Sequence, residues 1–520
     1  MSKDQGLHTL GCWTTDRSLS TPERIAIDDR GVRTTYRELE RRAIALGAKF
    51  MAAGFGVGDR IATLSGNSAD HVVLFFACAK AGLVLVPLSW RLTSVELREQ
   101  LSIADPSLWV VEDEFQTLAE QSNAQLIQPV PVLTMGPAGV EASVEGPARE
   151  RNELRGCAPT DDDPLLMVFT SGSEGKAKAV VLTHANCFWN NLALSRTVDL
   201  TSQDTILAVL PQYHLGGWNI QPLLAWWVGA TVVLERTFDA GRALQLLADR
   251  KVTMMMGVPA HYRMLATHPE FESTDLTALR LAVAGGAPMP PSLLRCWHGR
   301  GVALVQGYGL SEAGPNVLCL ASEEAMSKIG FAGRPYPHVK VKLVDAVTGE
   351  EIHGAGAGEL LVSGPSVSPG YFRDAAASAH AFANGWLRTG DLVQRDDQGY
   401  LKVIDRIKDL YISGGENVSP TEVEQVLLTH PAVAEAAVIG VLDDKWGEVG
   451  QAWVVLAAHT HADATELAAH CAKQLARYKI PATFKFASAL PRVGIEKVSR
   501  QKLRDLGRAE QLLMRQEDQR

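Results

Sequence analysis

Between about residues 25 and 115 the chain alternates helical patterns with short apolar runs, which narrows its architecture more than any other feature. A helical pattern runs from Tyr36 to Ala53, and Arg60-Ile-Ala-Thr-Leu-Ser65 reads as a strand. The longer apolar segment Val72 to Trp90, charged only at Lys80, is the one membrane candidate. Gly82 and Pro87 divide it, so Gly82-Leu-Val-Leu-Val-Pro87 is expected to be a buried strand after a buried helix. Such alternation implies a parallel sheet covered by helices.

A polar stretch with Pro and Gly, Gly136 to Asp163, reads as a connector. A second α/β unit is expected from Leu165, with strands at Thr205 to Leu210 and at Leu281 to Ala284, before Gly285-Gly286. After Phe331 the pattern changes. Val339 to Val344 alternates, Asp345 to Glu350 turns and Glu359-Leu-Leu-Val362 resumes, as in an antiparallel subdomain. A small α/β unit follows from Asp409, with a helix from Pro420 to His430. With 520 residues there is room for about three domains, and 46% hydrophobic with 21% charged residues is an ordinary globular balance. The net charge of −9 gives no footprint for nucleic acid, so any polyanion must be held by local donors. Seven scattered cysteines without C-x-x-C spacing read as reduced cytoplasmic thiols. The opening residues lead into no apolar stretch of the secretory kind, so no signal peptide is expected.

The chemistry concentrates in a few short runs. Val168-Phe-Thr-Ser-Gly-Ser-Glu-Gly-Lys-Ala-Lys178 passes abruptly from apolar residues to hydroxyls, glycines and lysines. Glycines let backbone N–H groups approach phosphate oxygens, hydroxyls add donors, and lysine adds charge. It is not a Walker A loop, since Ala177 stands five residues beyond Gly172. Taken alone it is also compatible with a flexible surface turn. Gln306-Gly-Tyr-Gly-Leu-Ser-Glu312 places an aromatic ring able to stack on a base near a carboxylate able to hold Mg²⁺. Gly385-Trp-Leu-Arg-Thr-Gly-Asp391, Ile404-Asp-Arg-Ile-Lys-Asp409, Ser413-Gly-Gly-Glu-Asn417 and Pro491-Arg-Val-Gly-Ile-Glu-Lys497 follow in order.

In these motifs and their spacing the chain resembles the adenylate-forming superfamily of acyl- and aryl-CoA synthetases, adenylation domains and luciferases. The similarity runs from about residue 20 to 505. Asp405-Arg-Ile-Lys-Asp-Leu-Tyr-Ile-Ser-Gly-Gly-Glu-Asn-Val-Ser-Pro420 is most like bacterial medium/long-chain and aromatic acyl-CoA ligases. The resemblance implies an α/β fold: an N-terminal region, 1–407, of two parallel-sheet subdomains and a β-rich one, then a small mobile domain, 408–520, hinged at Lys408. It implies ATP, Mg²⁺ and coenzyme A as cofactor and co-substrates. Thr170, Ser171, Gly172, Ser173, Glu174, Gly175 and Lys178 would hold the β- and γ-phosphates. Gly286, Ala287 and Pro288 would line the adenine with Tyr308 stacked on it, within the loop Gln306, Gly307, Tyr308, Gly309 and Leu310. Ser311 would touch the α-phosphate, Glu312 the magnesium ion, and Asp391 the ribose hydroxyls with Arg406 behind it. Lys497 would be catalytic. His214 would gate an acyl pocket lined by Trp218 and Gly285, and Gly414, Gly415, Arg477 and Lys479 would serve coenzyme A.

Other readings stand beside these. Asp391 and Arg406 suit a surface ion pair, and His214 suits a satisfied core histidine. Trp226 and Trp227 read as core packing. Glu174, Ala177, Ala179 and Glu496 depart from the family pattern, and Ser311 stands for threonine. They keep a non-catalytic nucleotide-binding protein in view. A ligase that loads a carrier-protein thiol is the enzymatic alternative; with only 23 residues after Lys497, that carrier is expected to be a separate chain. The expected partners are a small carboxylic acid and coenzyme A, without nucleic acid or an integral membrane segment. A homodimer stays open.

Overall fold

A computed structural model of the protein describes residues 6–136, 159–171, 177–413, 416–443, 445–493 and 497–507. Two seven-stranded sheets dominate it. In the first, the spatial order is Gly370–Tyr371, Ala177–Thr183, Pro164–Ser171, Val84–Leu88, Arg60–Leu64, Leu108–Glu112 and Val132–Met135. In the second it is Leu304–Gln306, Leu281–Ala284, Met254–Gly257, Thr205–Ala208, Thr231–Leu234, Ile25–Asp29 and Val32–Thr35. Neighbours in the second sheet are parallel except the last pair, Ile25–Asp29 with Val32–Thr35.

The expected split into two sequential α/β units needs correction. The strands flanking the phosphate loop join the first sheet, pairing antiparallel with Thr170 opposite Lys178 and Ser171 opposite Ala177. The early strand Ile25–Asp29 instead pairs with Thr231–Leu234 in the second sheet. The physical reason lies in connection length. Five residues between Ser171 and Ala177 can close a hairpin, whereas a parallel pair needs a crossover of a dozen or more. The flanking strands thus bring Thr170 and Lys178 to one end of an antiparallel pair.

Helices Tyr36–Ala52 and Ala69–Ala81 are built where the pattern places them, and each has a side-chain cap at its start. Thr35 Oγ accepts from Glu38 N–H, and Ser68 Oγ accepts from His71 N–H. Gly82, at φ 71°, ends the second helix and Val84–Leu88 follows as a strand with every residue buried. No described helix is long and apolar enough to cross a membrane. Ile61 and Leu85 of the first sheet share one core with Ile206 and Val232 of the second, together with Phe50, Phe75 and Trp226 from helices between them. Burying both helix faces in this way fixes the sheets against each other.

The antiparallel sheet after residue 331 is present as Lys340–Val344, Gly356–Ser363, Trp386–Arg395 and Leu401–Arg406. A single turn, Ile407–Asp409, then carries the chain to a last sheet built on Val433–Asp443 and Gly447–Leu456, covered by helices Pro420–Leu427 and Ala464–Ala472. The junction is tied on both sides. Asp405 Oδ2 accepts from Ser419 Oγ at 2.6 Å and from Thr421 N–H at 2.9 Å, while Arg504 donates to Asp409 at 2.7 Å.

Four histidines lie within this packing, and burial lowers their pKa values: His71 to about 3 and His184, His214 and His261 to about 4. An unfolded histidine titrates near 6.5, so below that pH the unfolded chain takes up protons that the native state refuses. Stability should therefore fall as pH drops from about 6.5 toward 4. His261→Phe, which can keep the 4.1 Å stacking on Phe238, should lose about 1–2 kcal/mol less between pH 7 and pH 5 than the parent. Parallel melting-temperature curves for the two proteins would show that His261 does not contribute.

Candidate active site

The strands Leu281–Ala284 and Leu304–Gln306 run parallel and end level, with Ala284 opposite Gln306. Ligands of parallel sheets bind beyond such carboxyl ends, and there the two glycine-rich loops begin. Gly286 has φ +80°, a conformation that side chains disfavour, and a Cβ at Gly309 would sit 1.8 Å from Pro315 O. Gly286, Ala287 and Pro288 are exposed, as a wall open to a ligand requires. Gln306 Oε1 is buried without a hydrogen-bond partner among the described residues.

Tyr308 leaves this loop as part of a short strand paired with Asn316–Cys319, and its hydroxyl donates to Asp391 Oδ2 at 2.5 Å. The other carboxylate oxygen, Oδ1, lies 3.0 Å from Arg406 Nε. Asp391 and Arg406 stand directly opposite on adjacent strands, so register alone brings carboxylate and guanidinium together. Thr389 Oγ accepts from Asp391 N–H and donates to Leu360 O, fixing the backbone beneath. Burial, and then the Asp391 carboxylate, hold the Tyr308 hydroxyl well above its ordinary pKa, so it stays a donor. Asp391 is only 4% exposed, whereas the Arg406 side chain is 39% exposed, so the carboxylate of the pair is buried and its guanidinium reaches the surface.

Ser311–Ala313 forms one helical turn that ends at Gly314, whose φ of +104° and 2.6 Å clearance from Ser366 O admit no side chain. Glu312 rides on this turn. Its backbone carbonyl accepts from Ser368 N–H at 2.8 Å, and its Oε1 accepts from the Tyr371 hydroxyl at 3.0 Å. Tyr371 in turn pairs opposite Val180 on the hairpin strand, and Lys178 Nζ sits 5.1 Å from its ring centroid. Lys178 and Glu312, 134 positions apart, are thereby joined through a residue that sequence reasoning overlooked. The only local cue was Pro369-Gly370 before it. Among the described residues no cluster of three His, Cys, Asp or Glu side chains forms a metal cage. One carboxylate beside a lysine suits Mg²⁺, which binds through one or two carboxylates together with substrate phosphates.

Gly285, expected to line an acyl pocket, lies beside an apolar cluster. Leu210, Met256 and Val258 form a small cluster with Ile220, Ala260 and Val283 at the ends of the second sheet's strands. A Cβ on Gly285 would lie 2.7 Å from Met256 Cε, so the missing side chain makes room for that methionine. The His214 ring lies 4.8 Å from that of Tyr213, with Nε2 buried and without a hydrogen-bond partner among the described residues, and burial, then Arg91, lowers its pKa to about 4. It is a neutral imidazole at physiological pH. Trp218 is a correction. It is fully buried, stacked 4.9 Å from Phe75, with its indole N–H donating to Gln212 O, so it packs the core between the sheets and does not line a pocket. Trp226 and Trp227 are core or core-edge residues, Trp227 being stacked on Trp13.

Several expected residues fall outside the described set: Gly172, Ser173, Glu174 and Gly175 of the phosphate loop, Gly414, Gly415 and Glu496, with the side chains of Ser171 and Lys497. The Lys497 backbone pairs with Val493 in a two-stranded ribbon. Lys408 lies in the junction turn and is exposed. Lys479 is held 2.7 Å from Glu422, whereas Arg477 in the same turn is exposed. The six described cysteines are free thiols.

Comparison with known proteins fits this geometry. Residues 15–372 match the family model for AMP-binding enzymes, and residues 422–497 match that for the AMP-binding enzyme C-terminal domain. A feruloyl-CoA synthase from an Amycolatopsis species is 38% identical, over 95% of this chain and 98% of that one. A fatty acid–[acyl-carrier-protein] ligase from Streptomyces coeruleorubidus is 35% identical over 96% of each. The structure of o-succinylbenzoate coenzyme A synthetase from Bacillus subtilis, in complex with ATP and magnesium ion, superposes with a TM-score of 0.83 at 32% identity, covering 95% of this chain and 99% of that one. The chain therefore belongs to the AMP-binding enzymes of the adenylate-forming superfamily.

Proposed function

We propose that the protein is an ATP-dependent acyl-CoA ligase that activates a carboxylic acid as its acyl-adenylate and then transfers the acyl group to coenzyme A. The observation that carries this reading is the Tyr308–Asp391–Arg406 constellation. It offers an aromatic ring beside a carboxylate whose oxygens retain lone pairs for two ribose hydroxyls, at the mouth of a parallel sheet. In the first step a substrate carboxylate oxygen bonds to the α-phosphorus of ATP, and the bond to pyrophosphate breaks. In the second the coenzyme A thiol adds to the acyl carbonyl, gives up its proton and displaces AMP.

The protein's part is placement and charge. Glu312 and Lys178 face the polyphosphate end, where a bound Mg²⁺ would neutralise phosphate charge. Ser311 lies one residue before Glu312, within reach of the α-phosphate. Thr170, opposite Lys178, opens the phosphate loop. Lys497 is assigned to the reacting oxygens. A domain boundary at 407/408, with Lys408 as hinge, would let residues 408–520 turn after adenylation, so that Gly414 and Gly415 flank the incoming thiol and Arg477 serves its nucleotide end. Lys479 would join it only by leaving Glu422. The apolar cluster around Met256 suits an aromatic or long-chain acid better than a small polar one, and neutral His214 would gate it. The free thiols suit the cytoplasm, where both nucleotides are at hand. The similarity to a carrier-protein ligase favours one alternative acceptor, a phosphopantetheine thiol on a separate protein.

With ATP, Mg²⁺ and a panel of arylpropenoic, long-chain and polycyclic acids, one group should release pyrophosphate and, on addition of coenzyme A, yield the thioester by mass. No pyrophosphate with any acid would sink the ligase reading, whereas adenylate that passes only to a carrier protein would change the acceptor. Lys497→Ala should lower adenylation about 10²–10³-fold while transfer from preformed acyl-adenylate stays within a few fold. Equal loss of both steps would make Lys497 structural.

Asp391→Ala should weaken ATP about tenfold more than it weakens 3′-deoxy-ATP, which already lacks one ribose contact. Equal weakening of the two nucleotides, measured by calorimetry, would remove Asp391 from the ribose site.

A further inference from the structure

We propose that Tyr371 is a positioning residue that sets Glu312 and Lys178 in their separate places for the metal–nucleotide complex, an inference that rests on the nucleotide site proposed above. Its hydroxyl donates to Glu312 Oε1 at 3.0 Å, and its ring carries Lys178 Nζ over its face at 5.1 Å. One side chain thus holds the carboxylate by its tip and the ammonium by its π-system. Without the ring, a lysine and a carboxylate so near the same residue are free to pair with each other, and each would then be lost to its phosphate or metal.

Tyr371 is itself well anchored. Gly370–Tyr371 pairs with the hairpin strand opposite Val181 and Val180, and Tyr371 N–H donates to Ser378 Oγ at 2.9 Å. The Phe382 ring packs edge-on at 5.7 Å. Ser368, three residues earlier, joins the two parts of the site, donating through N–H to Glu312 O and through Oγ to Val181 O. The hydroxyl is therefore presented by a strand and not by a loop. Burial, then the Glu312 charge, keep it protonated and donating. Holding one Glu312 oxygen in this way aims the other, and only a rigid aromatic residue can do so while also seating the lysine.

The two interactions separate by substitution. Tyr371→Phe removes the hydroxyl and keeps the ring; Tyr371→Leu removes both. Binding of Mn²⁺ to the protein with an ATP analogue bearing a methylene α–β bridge is to be followed by paramagnetic resonance, beside the Mg²⁺ requirement for pyrophosphate release. Tyr371→Phe should raise the Mn²⁺ dissociation constant and the half-maximal Mg²⁺ concentration together, about five- to tenfold, with analogue affinity at saturating metal within twofold. Tyr371→Leu should weaken metal and analogue alike, and both variants should melt within a few degrees of the parent. Unchanged Mn²⁺ binding in Tyr371→Phe overturns the proposal, as does an equal loss of metal and analogue affinity in that variant, which marks a merely structural role. If the parent releases no pyrophosphate with any acid, the ligase reading fails on its own, and the Mn²⁺ measurements still decide the role of Tyr371.

Discussion

The site depends on one buried carboxylate. Asp391 is 4% exposed and meets a phenol on one oxygen and a guanidinium on the other, so its charge is balanced by groups from two different layers of the molecule. Tyr308 comes from the loop that crowns the second parallel sheet, whereas Asp391 and Arg406 belong to the antiparallel sheet. A buried charge is costly unless fully hydrogen-bonded, so these layers have a strong reason to remain in contact at this point. The glycines around Tyr308 answer the same demand. At Gly309 the neighbouring backbone approaches closer than any Cβ allows.

Where local rules act alone, the sequence was legible. The helix from Tyr36 and the helix–strand unit from Ala69 to Leu88 follow from apolar spacing, a hydroxyl cap and a helix-ending glycine. The order of the glycine-rich motifs likewise led to the AMP-binding family, and the aromatic, carboxylate and arginine of the candidate ribose site were named before any geometry. Which sheet a strand joins is not a local property. Ile25–Asp29 and the phosphate-loop hairpin trade places relative to a simple sequential division, since pairing partners are chosen by tertiary packing. Trp218 shows the same limit. Its neighbouring glycines suggested a pocket, but the nearest ring is that of Phe75, on a helix more than a hundred residues earlier. Tyr371 was illegible for a related reason, as its value lies wholly in a lysine and a glutamate brought to it by two other chain segments.

The apolar cluster near Met256 and the pair Lys178 and Glu312 draw on different residues. The cluster nevertheless borders the loop that carries Tyr308, since a Cβ on Gly285 would lie 2.7 Å from Met256 Cε and 3.5 Å from Gly307 O. Relatives named for feruloyl and for fatty acyl groups share this family.

The strand Leu401–Arg406 has a property of its own. Successive side chains on a strand point to opposite faces, so Arg406 turns toward Asp391 while Asp405 turns toward Ser419 and Thr421 at the start of the next helix. A single peptide unit therefore separates the side chain that pairs with Asp391 from the one that fastens the start of helix Pro420–Leu427. The antiparallel sheet and the helix that follows it are thus fastened through neighbouring residues of one strand, with no intervening segment.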